Sequence, residues 1–437
     1  MQHPLNDPRT LNGWALFDWA NSAFALVITT AIFPPYFEGV IDERFTVLGV
    51  DFTNSSWFAY LITFSYLVIA VLSPLLSGIA DAGGRRKFFL QLFTTMGGLG
   101  CLSLFFFTGM ETLWIGSIGF IVGLIGFAGG LVFYNSFLPV IASEDRYDRV
   151  SARGFAMGYI GSVILLIINL AMVQQPGWFG LPATGTLAVR VAFVTVGLWW
   201  LIFARISLSR LPDDVRRPGT GLSDMAARGW RELTGVWRRL TDYPAAKQFL
   251  LAFFCYSAGV QTVMYLASIF AKKELNFETA ELIILILVLQ IVAIGGAYLA
   301  ARISEARGNR FALYVELIIW TMICVLAYFV NAKLQFYLLG GAVGLVMGGV
   351  QSLSRSTYAK VIPADQDAGG GRADTTSWFS FYDVLEKVAI VVGTFLFGFL
   401  DALTGNMRLS MAILSLFFIA GMAFLSRFRL PADVAQT

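Results

Sequence analysis

A chain of 437 residues that is 57% hydrophobic, 15% aromatic and only 14% charged, with a mean hydropathy of +0.70, does not have the composition of a water-soluble globular protein. The net charge of +3 is small and no basic patch interleaved with aromatics occurs, which excludes a nucleic-acid binder. The single histidine is His3, near one end, so histidine chemistry inside the membrane is excluded; Cys101, Cys255 and Cys324 lie in separate apolar runs, as small hydrophobes rather than disulfide partners or metal ligands.

Twelve apolar runs approach the ~20 residues needed to cross a bilayer: 13–37, 55–80, 88–109, 113–138, 154–175, 187–206, 248–271, 280–301, 311–330, 334–354, 377–400 and 408–427. The first is too long for the apolar core of a signal peptide and is expected to remain as a helix. With the N-terminus inside, most of the 31 lysines and arginines fall in cytoplasmic segments. Arg44, Arg190, Lys272, Lys273, Lys333 and Arg408 are outside, and Lys387 lies within a span. That bias predicts a multi-pass protein with both termini cytoplasmic, most simply in a bacterial inner membrane.

The first span carries Asp18 and Asn21, three residues apart and so on one helical face. A carboxylate at that depth is costly against lipid and is expected to face protein or a watery cavity. The reading as a helix-packing contact stays open beside it. After the second span, the loop SGIADAGGRRKFF from Ser77 sets Asp81, Gly84, Arg85 and Arg86 at spacings repeated by ARISEARGNRFAL from Ala301, which sets Glu305, Gly308 and Arg310. An acid ending one helix, a glycine turn and cations opening the next suit a conformational gate that latches neighbouring helices. The ends of spans four and ten, from Tyr134 and Ser354, echo each other more faintly.

Residues 207–247 separate six spans from six, which predicts an N-terminal bundle over 1–206, a cytoplasmic linker over 207–247 and a C-terminal bundle over 248–437. Leu222, Met225, Gly229, Leu233, Val236 and Leu240 recur at helical spacing in that linker, with Arg228, Arg231, Arg238 and Arg239 beside Trp230 and Trp237. This predicts an amphipathic helix for lipid headgroups, with a solvated linker or a protein contact as the alternatives. Gly369, Gly370 and Gly371, among Asp365, Asp367 and Asp374, read as a tether.

Span eleven carries Asp383, Glu386 and Lys387. Lys387 falls ~15 Å from the cytoplasmic end of that span, near the midplane, where a lysine requires a partner. Asp383, four residues earlier, can pair with it on one face. The expectation is that Lys387 pairs alternately with Asp383 or Asp18 and with a substrate carboxylate or proton; a permanent ion pair is the alternative. Asn135, Gln261, Gln290 and Gln351 are further polar groups on spans four, seven, eight and ten. Arg355 is expected to snorkel to water, Arg149 and Arg153 open span five, and Glu316 in span nine has no assigned role. No P-loop, nucleophile elbow or metal-ligand spacing occurs, which argues against an ATP-driven pump, an enzyme, a metal or a cofactor.

The loop from Ser77 resembles the signature loop of the major facilitator superfamily, departing from it at Ser77 and Ala82. GWALFDWANSAF at Gly13, FYNSFLPVIA at Phe133, RVSARGFAMGYIG at Arg149, GGVQSLSRSTYAKVIP at Gly348 and FSFYDVLEKVAIVVG at Phe379 are similar to the branch containing the autophagy-related vacuolar amino-acid effluxers of fungi and their bacterial permease relatives. The resemblance implies two pseudo-symmetric six-helix bundles and export of a small solute by alternating access. The expected substrate-binding or coupling residues are Asp18, Asn21, Asn135, Gln351, Asp383, Glu386 and Lys387. The expected substrate is an amino acid or small peptide, with protons as a further partner and a monomer as the working unit. A multidrug or lipid-like exporter and a non-transporting sensor or scaffold are the alternatives.

Overall fold

In the computed structural model the described residues are 4–47, 49–214, 235, 238, 240–363 and 375–428. The linker helix predicted over residues 222–240 and the glycine tether around 369–371 therefore lie outside or almost wholly outside the described residues. Among the described residues, eleven helices are long and apolar enough to cross a membrane, and Thr375–Thr404 is a helix that accounts for the twelfth predicted run: α1 Pro8–Val40, α2 Asn54–Gly83, α3 Arg86–Ser103, α4 Leu113–Asn135, α5 Tyr147–Gln174, α6 Leu187–Leu208, α7 Pro244–Leu275, α8 Thr279–Arg307, α9 Asn309–Ala327, α10 Lys333–Val361, α11 Thr375–Thr404 and α12 Met407–Leu425. Most overrun the apolar runs because polar end turns stay helical once they leave the hydrocarbon. α1 starts earlier than the run because Pro8 suits the first helical position and Asp7 caps it, its Oδ2 accepting from the Thr10 N–H at 2.9 Å. Asp18 thus lies ~15 Å along its helix, deeper than the apolar run alone implies.

α1 is not uniform. Residues Phe24–Ile32 form a π-helix, followed by an α-helical Phe33–Val40 that contains Pro34 and Pro35. Two successive prolines remove the donors that would bond the carbonyls of Thr30 and Ala31, and the ladder shifts to the wider register. The Thr29 and Thr30 hydroxyls both donate to the Ala25 carbonyl, the latter at 2.9 Å. A two-stranded hairpin, Arg44–Val47 against Val50–Thr53, follows; it was not predicted.

Two units can be distinguished by internal packing. One comprises residues 1–136 and 157–229, the other residues 137–156 and 230–437, so the start of α5 packs with the second unit. In the first, Phe33 stacks on Phe120 at 5.1 Å, and α3 and α4 touch backbone to backbone where Gly97 meets Gly126. In the second, α8 and α10 approach as closely: a Cβ on Gly348 would strike the Ala293 carbonyl and one on Gly296 the Leu345 carbonyl. Small residues are what permit such contact between lipid-embedded helices. Gly348→Val is expected to force α10 from α8 and cost about 1–3 kcal/mol, read as a lower melting temperature of the purified protein. An unchanged melting temperature would show that the interface relaxes freely.

Exposed apolar stripes identify the lipid faces. Tyr60, Phe64, Leu67 and Val71 form one on α2, and Val388, Val391, Phe395 and Phe399 another on α11. On α11, Gly393 points away from that stripe and meets Thr262 and the Ala258 carbonyl of α7. The charged residues of α11 belong to this covered side.

Candidate functional site

Among the described residues, a cluster of buried polar groups stands out in each unit. In the first unit the centre is Tyr134, at the end of α4. Its ring stacks between Trp14 (4.6 Å) and Phe17 (4.8 Å) of α1, and its hydroxyl donates to Asp18 Oδ2 at 2.7 Å. The Trp14 indole N–H donates to the Tyr134 carbonyl at 3.0 Å, fixing α1 against α4. Asp18 is 4% exposed and Asn21 1% exposed, so both face protein, as their shared face predicts. The Asn21 Oδ1 meets no donor, a deficit worth a hydrogen bond to any group that reaches it. Asn135 follows Tyr134 in α4 and is half-buried. The aromatic neighbour Tyr134 is a hydroxyl partner of Asp18.

In the second unit, Lys387 lies ~18 Å from the first residue of α11. Its Nζ stands 3.1 Å from Asp383 Oδ1 and 3.3 Å from Glu386 Oε2, while Gln261 of α7 donates from Nε2 to Glu386 Oε1 at 2.9 Å. Asp383 Oδ2 is buried without a donor. One ammonium is thus shared by two carboxylates, and one carboxylate oxygen remains open to a proton or to a donor. Tyr382, the residue before Asp383, is sandwiched between Phe253 (4.1 Å) and Tyr358 (4.8 Å), which holds this turn of α11 against α7 and α10. Asp18 and Lys387 belong to different units, and each has a partner within its own. Gln351 is half-buried on α10. Gln290 Oε1 on α8 is buried without a donor.

The gate residues behave differently in the two repeats. Gly84 ends α2 in the left-handed region, φ +61°, and Asp81 stands 3.6 Å from Arg86 across the turn. Arg85 donates its backbone N–H to the Ala80 carbonyl at 2.9 Å. Lys87, not singled out by the sequence, is the stronger anchor. Its ammonium pairs with Asp213 at 2.7 Å, and Asp214 accepts the backbone N–H groups of Lys87 (2.7 Å) and Phe88 (2.9 Å) at the start of α3. A carboxylate at a helix N-terminus is favoured by the orphan N–H groups there.

In the second repeat Gly308 again turns the chain, φ +84°, but Glu305 and Arg310 have separate partners. Arg310 donates to the Ser426 carbonyl at 2.7 Å, and Glu305 receives Arg149 through two hydrogen bonds of 3.0 and 2.9 Å. The position matching Arg85 is Asn309, which is buried in a network around Asp148 of α5. Asp148 accepts from Ser304 (2.8 Å), Asn309 (2.8 Å) and Lys360 (2.6 Å). Spacing alone did not disclose this centre. Five residues before Lys360 on α10, Arg355 overturns the expectation that it snorkels. It is 3% exposed, donates to the Ser151 hydroxyl (2.9 Å) and carbonyl (2.8 Å), and lies 4.2 Å over the Phe155 ring. The start of α5 supplies the acceptors that water would otherwise provide.

Comparison with known proteins agrees with this architecture. The family model described as "Vacuole effluxer Atg22 like" matches residues 6–433. An uncharacterised MFS-type transporter of Bacillus subtilis, YxiO, is 31% identical over 95% of this chain and 94% of its own length. Autophagy-related protein 22 of Eremothecium gossypii is 25% identical over 94% of this chain and 89% of its own. Among solved structures, the outward conformation of the major facilitator transporter FucP superposes with a TM-score of 0.70 at 14% identity, covering 97% of this chain and 98% of that one. The human organic anion transporter MFSD10 gives 0.71 at 14% identity over 97% and 100%. The chain belongs to the Atg22-like vacuole-effluxer family and is a multi-pass membrane transporter of the major facilitator fold, with twelve transmembrane helices in two pseudo-symmetric six-helix bundles.

Proposed function

We propose that this transporter is a secondary exporter of a small zwitterionic solute, an amino acid or small peptide, and that Lys387 with Asp383 and Glu386 forms its charge-bearing substrate or coupling site. The observation that carries this is the sharing of one buried ammonium by two carboxylates, with Asp383 Oδ2 left without a donor. A substrate carboxylate can take the ammonium, and a substrate amine or a proton can take the released carboxylate. The second polar cluster, Asp18 with Asn21, offers an acid and an amide to the same kind of cargo, and Asn135 and Gln351 are candidates to extend these surfaces. The effluxer description of the family supports export, and the positive-inside bias supports cytoplasmic termini in a bacterial inner membrane. Asp81, Gly84, Arg85, Arg86, Glu305, Gly308 and Arg310 would act as hinges and anchors of the gate, and a monomer suffices for all these steps.

A thermal-shift screen of purified protein against neutral amino acids, dipeptides and hydrophobic cations tests this reading. A cargo present at 100 times its dissociation constant stabilises the folded state by about 2.7 kcal/mol. Stabilisation by amino acids or dipeptides is expected. A response to hydrophobic cations alone would turn the reading to a multidrug exporter, and no response to any of the three classes would count against it.

A further inference from the structure

Glu316 is a buried acid that the site described above does not use. It lies seven residues after Asn309, the first residue of α9, ~10 Å along the axis, and is 6% exposed among Leu313, Leu317 and Trp320. Its Oε2 is buried without any hydrogen-bond donor, and among the described residues no lysine or arginine pairs with it. α10 makes room for the carboxyl group through a glycine: a Cβ on Gly349 would collide with Oε1, Oε2 and the carboxyl carbon together. The preceding residue, Gly348, faces the opposite neighbour, α8. One glycine of the pair admits a backbone, and the other admits an acid.

An ionised carboxylate without cation or donors in such a place costs several kcal/mol, whereas the neutral acid costs far less. On α7, the Tyr256 hydroxyl shares a 2.8 Å hydrogen bond with Ser354 of α10. The neighbours on α9, α10 and α12 include Leu317, Trp320, Gly349 and Phe418, the last stacked on Trp320 at 5.5 Å, and the Trp320 indole N–H is buried without an acceptor.

We propose that Glu316 is a proton-binding site of this transporter, separate from the Lys387 cluster, its neutral acid held against the Gly349 backbone of α10. Loading adds one proton to the carboxylate and release returns it, and no other bond changes. The proposal does not rest on the identity of the cargo and can be tested without one.

Infrared difference spectra of the full-length protein in lipid, wild type against Glu316→Gln, read it directly at neutral pH. The wild type should show a protonated-carboxyl stretching band that Glu316→Gln lacks and that Glu386→Gln retains. Transfer to heavy water should shift the wild-type band, since the proton exchanges. Wild-type and Glu316→Gln spectra that coincide in the carboxyl region would overturn the proposal by showing Glu316 ionised. A band that never shifts in heavy water would overturn it by making Glu316 a sealed filler. The unaltered protein carries a test of its own: a wild type with no protonated-carboxyl band at neutral pH would overturn the proposal even if the variants misfold.

Discussion

Lys387→Met is expected to abolish transport and to cost the folded protein about 3–5 kcal/mol, because Asp383 and Glu386 then share a buried site with no cation. The same loss would follow from a purely structural ion pair, so the informative variant is the double one. Lys387→Met with Asp383→Asn removes the cation and the more deeply buried of its two carboxylates while keeping the side-chain shapes, and leaves the more exposed Glu386 its hydrogen bond from Gln261. The double variant should recover most of the melting temperature of the wild type and none of its transport. Recovery of both would reduce the cluster to a static brace and remove Lys387 from the mechanism.

Asp148→Ala is the second large effect. It strips a buried acid, 4% exposed, from Ser304, Asn309 and Lys360, and leaves the Lys360 ammonium, which is largely covered, without that carboxylate. The expected cost is about 3–5 kcal/mol, read as a large fall in melting temperature, with partial rescue by Lys360→Met. Arg149→Ala, one residue away, is the control. Its side chain is 72% exposed and its pairing with Glu305 is open to solvent, so its melting temperature should stay close to that of the wild type. Equal effects of the two substitutions would contradict the account of Asp148 as the organising acid of this corner.

The helices were legible because a run of ~20 apolar residues has one economical fate in a bilayer. The glycine turns at Gly84 and Gly308 were legible because an acid, a glycine and cations at fixed spacing describe a local event. Tertiary partnerships were less so. Asp383 and Lys387 are four apart on one helix and could be paired from sequence, whereas Asp148 and Lys360 are 212 residues apart and carry no mutual mark. Glu305 and Arg310 kept the spacing of Asp81 and Arg86 but not the pairing, since repeats inherit a backbone path more faithfully than side-chain partners. Arg355 misled because a cation near a helix end usually reaches water, and here Ser151 and Phe155 intercept it. The π-helical stretch of α1 was not legible in the sequence, where residues 13–37 read as one uniform run, although Pro34 and Pro35 lie just beyond it. Tyr134 stood in a motif already noticed; its value as the hydroxyl partner of Asp18 emerged only with the packing of α1 on α4.

The central claim, that the shared ammonium of Lys387 handles a zwitterionic cargo, is tested most directly by counterflow. Proteoliposomes of the purified protein are loaded with an unlabelled mixture of neutral amino acids, and entry of the labelled mixture is followed. Wild type should show a transient accumulation that excess neutral amino acid abolishes and hydrophobic cations leave intact, and the double variant Lys387→Met with Asp383→Asn should show none. Counterflow by the double variant equal to that of the wild type would contradict the claim.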